Sequence, residues 1–242
     1  MKMKTLQLSA IFTFIAFMTT SCIIVVNGKS VQGSGNIITE EREVSEFNKV
    51  LLKGSGKVFL TSGEKQLLEI KTDDNIMPLI ETAVSGDKLT ISHGKHHLRP
   101  TAFDVFITVK ELAGVAISGS GDISGKGRFV TDTFYTEISG SGDVDLEVET
   151  GKLSSKISGS GSIRLAGKAQ DYRVSISGSG EINAFDVQAE TVSVKISGSG
   201  DCRVHAAESL DAKISGSGDV YYKGRPRINT KISGSGSLKS RE

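Results

Sequence analysis

The chain contains no tryptophan, and only four tyrosines and ten phenylalanines. Sugar-binding surfaces usually present aromatic platforms. By the alternation described below, only Tyr135 and Tyr221 among the tyrosines point outward. Cysteine is equally scarce, with Cys22 and Cys202 alone, which excludes a disulfide framework and any cysteine-based metal motif. Charge of one sign is also missing. Twenty-nine Lys and Arg face twenty-eight Asp and Glu, a net charge of +1, so nothing marks a nucleic-acid-binding surface. No apolar run is long enough to make a good membrane span. The longest, near the N-terminus, has about fifteen residues against the roughly twenty a spanning helix needs.

That run is informative in another way. Lys2 and Lys4 precede an apolar stretch from Leu6 to Met18, which ends in Thr19-Thr20-Ser21-Cys22. This is the pattern of a secretory signal peptide. A cysteine directly after small residues resembles the bacterial lipobox, although Thr19 stands where an aliphatic residue is usual. The resemblance implies cleavage before Cys22 and lipidation of Cys22. Ile23 stands where an acidic residue can signal inner-membrane retention, and the first mature residues carry no acidic cluster of the kind linked to surface export, so attachment to the outer membrane, at its periplasmic rather than its surface face, is expected. Loss of residues 1–21 removes Lys2 and Lys4 and takes the net charge from +1 to −1.

What the chain has in abundance is glycine, 28 residues, much of it in a repeat. Ile-Ser-Gly-Ser-Gly occurs seven times, beginning at Ile117, Ile138, Ile157, Ile176, Ile196, Ile214 and Ile232, at spacings of 18 to 21 residues. A unit that short cannot bury its own apolar face, so the copies must stack as rungs of a solenoid. Before each pentapeptide apolar or small residues alternate with polar ones, as in Tyr172, Val174, Ile176 and Val192, Val194, Ile196. After it a polar residue is followed by an apolar one: Ile123, Val144, Ile163, Ile182, Cys202, Val220, Leu238. Period two on both sides of the glycines means two strands with a buried face, meeting at a corner. Glycine supplies that corner because it takes positive φ without a Cβ clash, and the serine between can hydrogen-bond the turn.

These readings predict an all-β chain, a right-handed single-stranded parallel β-helix with two faces per rung. Residues 1–21 are expected to be the signal peptide, 22–35 a tether, and 36–242 one solenoid domain. Within it, 117–238 carry regular repeats and 36–116 irregular first rungs. Leu52-Lys53-Gly54-Ser55-Gly56-Lys57-Val58 preserves the corner there. Ile76, Met77, Leu79 and Ile80 have helical spacing, which predicts one short helix over Asp74–Thr82, capped by Asp73 or Asp74 and covering the end of the coil.

Stacking the rungs lines up the residue after each Gly-Ser-Gly as a stripe: Asp122, Asp143, Ser162, Glu181, Asp201, Asp219 and Ser237. Repeated carboxylates either hold a cation such as calcium or are balanced by basic residues. Lys195 and Lys213, across the corner from Asp201 and Asp219, are the expected counter-charges. His93, His96 and His97 crowd one loop and are a weaker metal candidate. Cys202 takes the slot of Ile, Val or Leu in other rungs and reads as a small buried hydrophobe. Gly-Ser-Gly followed by a strand is not a phosphate cradle, which needs a helix N-terminus. No cofactor is expected.

The Gly-Ser-Gly-Asp corners, the segment Asp-Asn-Ile-Met-Pro-Leu-Ile-Glu-Thr from Asp74 to Thr82, and Arg99-Pro100 leading into Phe103–Val109 resemble the head-GIN domain of putative auto-transporter adhesins, a family of Bacteroidetes envelopes. The resemblance spans residues 36–238. It implies a non-enzymatic binding or adhesion module, whose partners would be a glycan or a surface protein besides the membrane, and it brings no catalytic residues. A carbohydrate-active enzyme on the same scaffold is the alternative.

Overall fold

The computed structural model describes residues 30–241. The apolar leader, Cys22 and residues 22–29 of the expected tether lie outside the described residues. From Gly114 onward the chain coils in parallel strands, each paired with the next. Ile117 lies beside Ile138, Ile138 beside Ile157, and Ile157 beside Ile176. Ile176, Ile196, Ile214 and Ile232 continue the ladder. Upstream, Leu52 and Ile91 extend it in register. The β-helix expected from the repeat is therefore present.

Each rung buries two alternating runs. In Asp143–Gly159 these are Val144, Leu146, Val148, Thr150 and then Leu153, Ser155, Ile157. The step of three between Thr150 and Leu153 marks a bend at Gly151-Lys152 that moves the inward phase to the second face. The core contains a small polar chain. Thr136 and Tyr172 both donate hydroxyl hydrogen bonds to Ser155 Oγ, at 2.9 and 3.1 Å, so three rungs share one satisfied network.

The corners explain the pentapeptide atom by atom. The first glycine takes positive φ, +120° at Gly178 and +127° at Gly198. A Cβ on Gly198 would stand 2.3 Å from the carbonyl oxygen of Gly178 one rung below. At Gly200 the obstacle differs. A Cβ there would meet Gly180 O at 2.4 Å and Ile176 Cγ2 at 2.6 Å, so the isoleucine of one rung fills the space left by the second glycine of the next. The glycine carbonyls accept backbone hydrogen bonds from the following rung: Ser199 N–H to Gly178 O at 2.9 Å, Asp201 N–H to Gly180 O at 3.1 Å. Those corner serines thus bond through the backbone rather than through the hydroxyl anticipated from sequence.

The first rungs are out of order in space. Strand Lys49–Gly54 lies between Gly114–Gly119 and Lys88–Ser92, and Lys57–Ser62 lies between Asp122–Lys126 and Phe103–Val109. Above them run antiparallel strands: Glu81–Ser85 on Lys88–Ser92, Leu67–Asp73 on Phe103–Val109, and Ile37–Glu41 on Leu67–Asp73. This lid closes the N-terminal end. The helix expected over Asp74–Thr82 is only a 3-10 turn, Met77–Leu79. Pro78 lacks an N–H and disfavours α conformation in the residue before it, and Arg42 takes up the turn's carbonyls, donating to Met77 O at 3.1 Å and Ile80 O at 2.6 Å.

Nor do Asp73 and Asp74 cap that turn, whose N-cap Ile76 has no side-chain bond. They fasten the segment Ser30–Asn36 instead. Ser30–Gln32 pairs with His97–Arg99. Buried Asp73 accepts from Gly35 N at 2.8 Å and Thr101 N at 2.7 Å. Asp74 accepts from Ser34 Oγ and from Asn36 Nδ2 at 2.8 Å. Burial raises the Asp73 carboxyl, but the donated hydrogen bonds outweigh it and leave it below the usual range.

Candidate functional site

Past the corner, the side chains of each rung alternate between core and solvent, so the outward ones form columns along the coil. The first column is the anticipated stripe. Asp122 lies beside Asp143, Asp143 beside Ser162, Ser162 beside Glu181, and Glu181 beside Asp201. Asp219 lies beside Ser237, and Lys57 continues the stripe beyond Asp122.

The counter-charges are not those anticipated. Lys195, Lys213 and Lys231 form a separate column before the corner, where Lys213 reaches Asp211 at 3.6 Å. Two of the stripe acids are met by residues two places further along neighbouring rungs, and Asp201 accepts from Asp219 N at 2.9 Å. Arg203 binds Glu181, and Lys239 binds Asp219 at 2.9 Å. The sequence reading chose the wrong side of the corner because pairing follows the second outward column on the same face. Among the described residues no group of three or more His, Cys, Asp or Glu is arranged to hold a metal. His93 is packed over Gly54, at the position a Cβ would occupy, and His97 lies in the strand beside Ser30. Cys202 is fully buried, and burial pushes its thiol well above the ordinary range, which makes it inert.

Asp219 is the most firmly held of the stripe. Its Oδ1 accepts from Ser237 N at 2.9 Å and Ser237 Oγ at 2.7 Å, and its Oδ2 from Tyr221 OH at 3.1 Å. The hydrogen bonds from Ser237 and Lys239 lower its carboxyl to about 2. A carboxyl lowered on folding contributes stability that is complete above its unfolded value and disappears as the pH falls through the folded one. The terminal strand Ser237–Ser240 is therefore expected to detach as acid is taken down towards about pH 2. Hydrogen exchange at Ser237 across this range checks it, and Asp219→Asn should remove the pH dependence. A pH dependence that persists in that variant would contradict the assignment.

The second outward column carries what the sequence reading missed. Phe106 lies beside Phe59, and Phe59 beside Ser124. The two rings stack with centroids 5.2 Å apart and planes 16° from parallel, and each residue is 36 % exposed. The column then runs through Asp145, Arg164, Asn183 and Arg203 to Tyr221 and Lys239. Tyr221 is surrounded by cations, with the Arg203 and Arg241 guanidinium carbons at 5.4 and 4.9 Å and Lys239 Nζ at 5.5 Å from its ring centre. Alternation in Lys57-Val58-Phe59-Leu60, with Val58 and Leu60 inside, was the signal that could have placed Phe59 outside.

A solenoid with repetitive charged columns and a stacked aromatic pair on its outer surface defines a class of extended surface-bearing β-helices. The family model for putative auto-transporter adhesins, head GIN domain, matches residues 46–226, and the chain belongs to that family. A putative adhesin of Bacteroides fragilis NCTC 9343 is 32 % identical, with a TM-score of 0.82 over 87 % of this chain and 100 % of that one. A putative lipid-binding protein of Parabacteroides distasonis ATCC 8503 is 28 % identical, TM-score 0.75, over 88 % and 100 % of the two chains. A putative adhesin of Parabacteroides merdae ATCC 43184 is 26 % identical, TM-score 0.69, over 88 % and 99 %. No functionally curated protein matches the sequence.

Proposed function

We propose that the protein is a non-enzymatic, envelope-anchored binding module that takes a glycan on the face carrying Phe59 and Phe106. The observation that carries this reading is the half-exposed stacked pair of rings. Such rings are normally hidden, and here they border small and polar neighbours, Ser124, Lys57 and Asp104. Pyranose C–H faces pack on aromatic rings while their hydroxyls need polar partners beside them. Ser124 is small, so it leaves the far side of Phe59 free of a neighbouring ring. Family membership and the adhesin relatives agree with a binding role. Each stripe carboxylate holds the equivalent place in its rung, and Asp219, the one held apart by hydrogen bonds from Ser237 and Lys239, is kept ionised by them, so no pair is set up as acid and base.

A glycan array probed with the purified protein should give binding that falls on the order of tenfold, about 1.4 kcal/mol, in Phe59→Ala or Phe106→Ala, with thermal stability little changed. Binding that both variants retain in full would sink the assignment. The anchor is Cys22: its lipidation would hold the module at the outer membrane, stably because bacterial lipoproteins carry several acyl chains. Cys22→Ala should leave the membrane fraction or retain an uncleaved leader. Mass spectrometry that finds cleavage elsewhere and a free Cys22 thiol would refute it.

A further inference from the structure

The two ends of the coil differ. The N-terminal end is covered by antiparallel strands, whereas among the described residues the last long strand, Arg227–Gly234, pairs only on the side of Asp201–Gly216. Its inward residues Ile228 and Ile232, buried in every equivalent rung before it, are 46 % and 40 % exposed. A solenoid whose last rung shows its core has an apolar surface and a row of unpaired backbone groups at the same place.

We infer that this strand is the interface between two copies of the chain, joined end to end about a twofold axis at Thr230, strand Arg227–Gly234 running antiparallel to its counterpart. The register decides it. A twofold axis makes the same patch meet itself, and the pleat requires inward residues to oppose inward ones. Centred on Thr230, Ile228 faces Ile232 of the second copy, Asn229 faces Lys231, and Arg227 faces Ser233. Apolar meets apolar inside, and no cation opposes another. Centred one residue earlier, Arg227 would face Lys231. Centred one residue later, the two Lys231 would face each other, which is unfavourable in a cross-strand pair. A centre on Ile228 brings in Pro226, which has no N–H to give. A centre on Ile232 would set Ile228 against Gly236, beyond the end of the strand. The register centred on Thr230 is thus the one that covers both isoleucines with each other, and it continues the buried isoleucine ladder from one coil into the other.

Sedimentation velocity of the purified chain is expected to show a concentration-dependent dimer. Ile232→Lys places a charge against Ile228 of the second copy and should give a monomer. Because Ile232 is partly exposed in the single chain, its circular dichroism should stay as in the wild type. Thr230→Cys places the two thiols opposite each other at a spacing a disulfide can bridge, so mild oxidation should link the copies far more than in Arg227→Cys. The Thr230 substitution is small, and its crosslink tests the register even if Ile232→Lys fails to fold. A wild-type chain that stays monomeric at every concentration overturns the inference. So does a Thr230→Cys chain that crosslinks no better than Arg227→Cys.

Discussion

Ile176→Asp is expected to leave no folded coil, while Lys195→Asp, one rung and one residue away in register, leaves its stability nearly unchanged. Ile176 is 1 % exposed and lies between Ile157 and Ile196 in the inward ladder. Its γ-methyl also fills the space above Gly200. An aspartate there loses the apolar burial of the isoleucine, roughly 2–3 kcal/mol, and adds an unpaired charge at several kcal/mol more. Total stabilities lie at about 5–15 kcal/mol. In a solenoid each rung is supported only by its neighbours, so a failed central rung also exposes the two halves it joined. Lys195 projects to solvent beside Lys213, and an aspartate there gains a cationic neighbour in place of a like charge. Thermal melts of the two variants measure the contrast. Equal loss in both would show the inward phase to be misassigned.

The phase was legible because the repeat supplies many independent readings of one pattern. Ile, Val and Leu recur at every second position, and the burial of Phe134, Leu153, Tyr172, Val192 and Leu210 follows from that alternation. The first rungs were harder. There the chain leaves the coil to build the lid and returns between strands far from it in sequence, and nothing in a local pattern tells that Lys49–Gly54 slots beside Lys88–Ser92. Helical spacing of Ile76, Met77 and Ile80 was real, since all three are buried. Three residues of 3-10 turn satisfy the same spacing: Pro78 disfavours extension towards Asp74, and the extended backbone of Ile80 ends the turn.

The candidate site divides in the same way. That Asp122, Asp143, Glu181, Asp201 and Asp219 align was readable from the repeat alone. Which cations meet Glu181 and Asp219 was not, because Arg203 and Lys239 reach them diagonally from the second outward column of the neighbouring rung. Phe59 and Phe106 were overlooked for a different reason. They belong to the irregular segment, where apolar residues are assigned to the core by default, yet they lie opposite each other on the outer surface across a pair of strands separated by more than forty residues.

Gly198→Val is expected to be as damaging as many core substitutions, although Gly198 lies at the edge of the coil. Two penalties act together. Its φ of +127° lies in a region L side chains rarely adopt, which costs on the order of 1–3 kcal/mol for a non-glycine residue and more for a β-branched one. The Cβ would also stand 2.3 Å from Gly178 O, the acceptor of the Ser199 amide bond that joins the two rungs. Relief by moving the backbone breaks that bond and shifts Gly200 off Ile176, so the strain passes directly into the isoleucine ladder. Ser199→Ala at the same corner keeps the backbone amide and has no such obstacle, so it should melt close to the wild type. The comparison separates a conformational requirement from mere sensitivity of the corner. Equal melting temperatures for Gly198→Val and Ser199→Ala would mean that the glycine is replaceable and that stacking alone holds the rungs together.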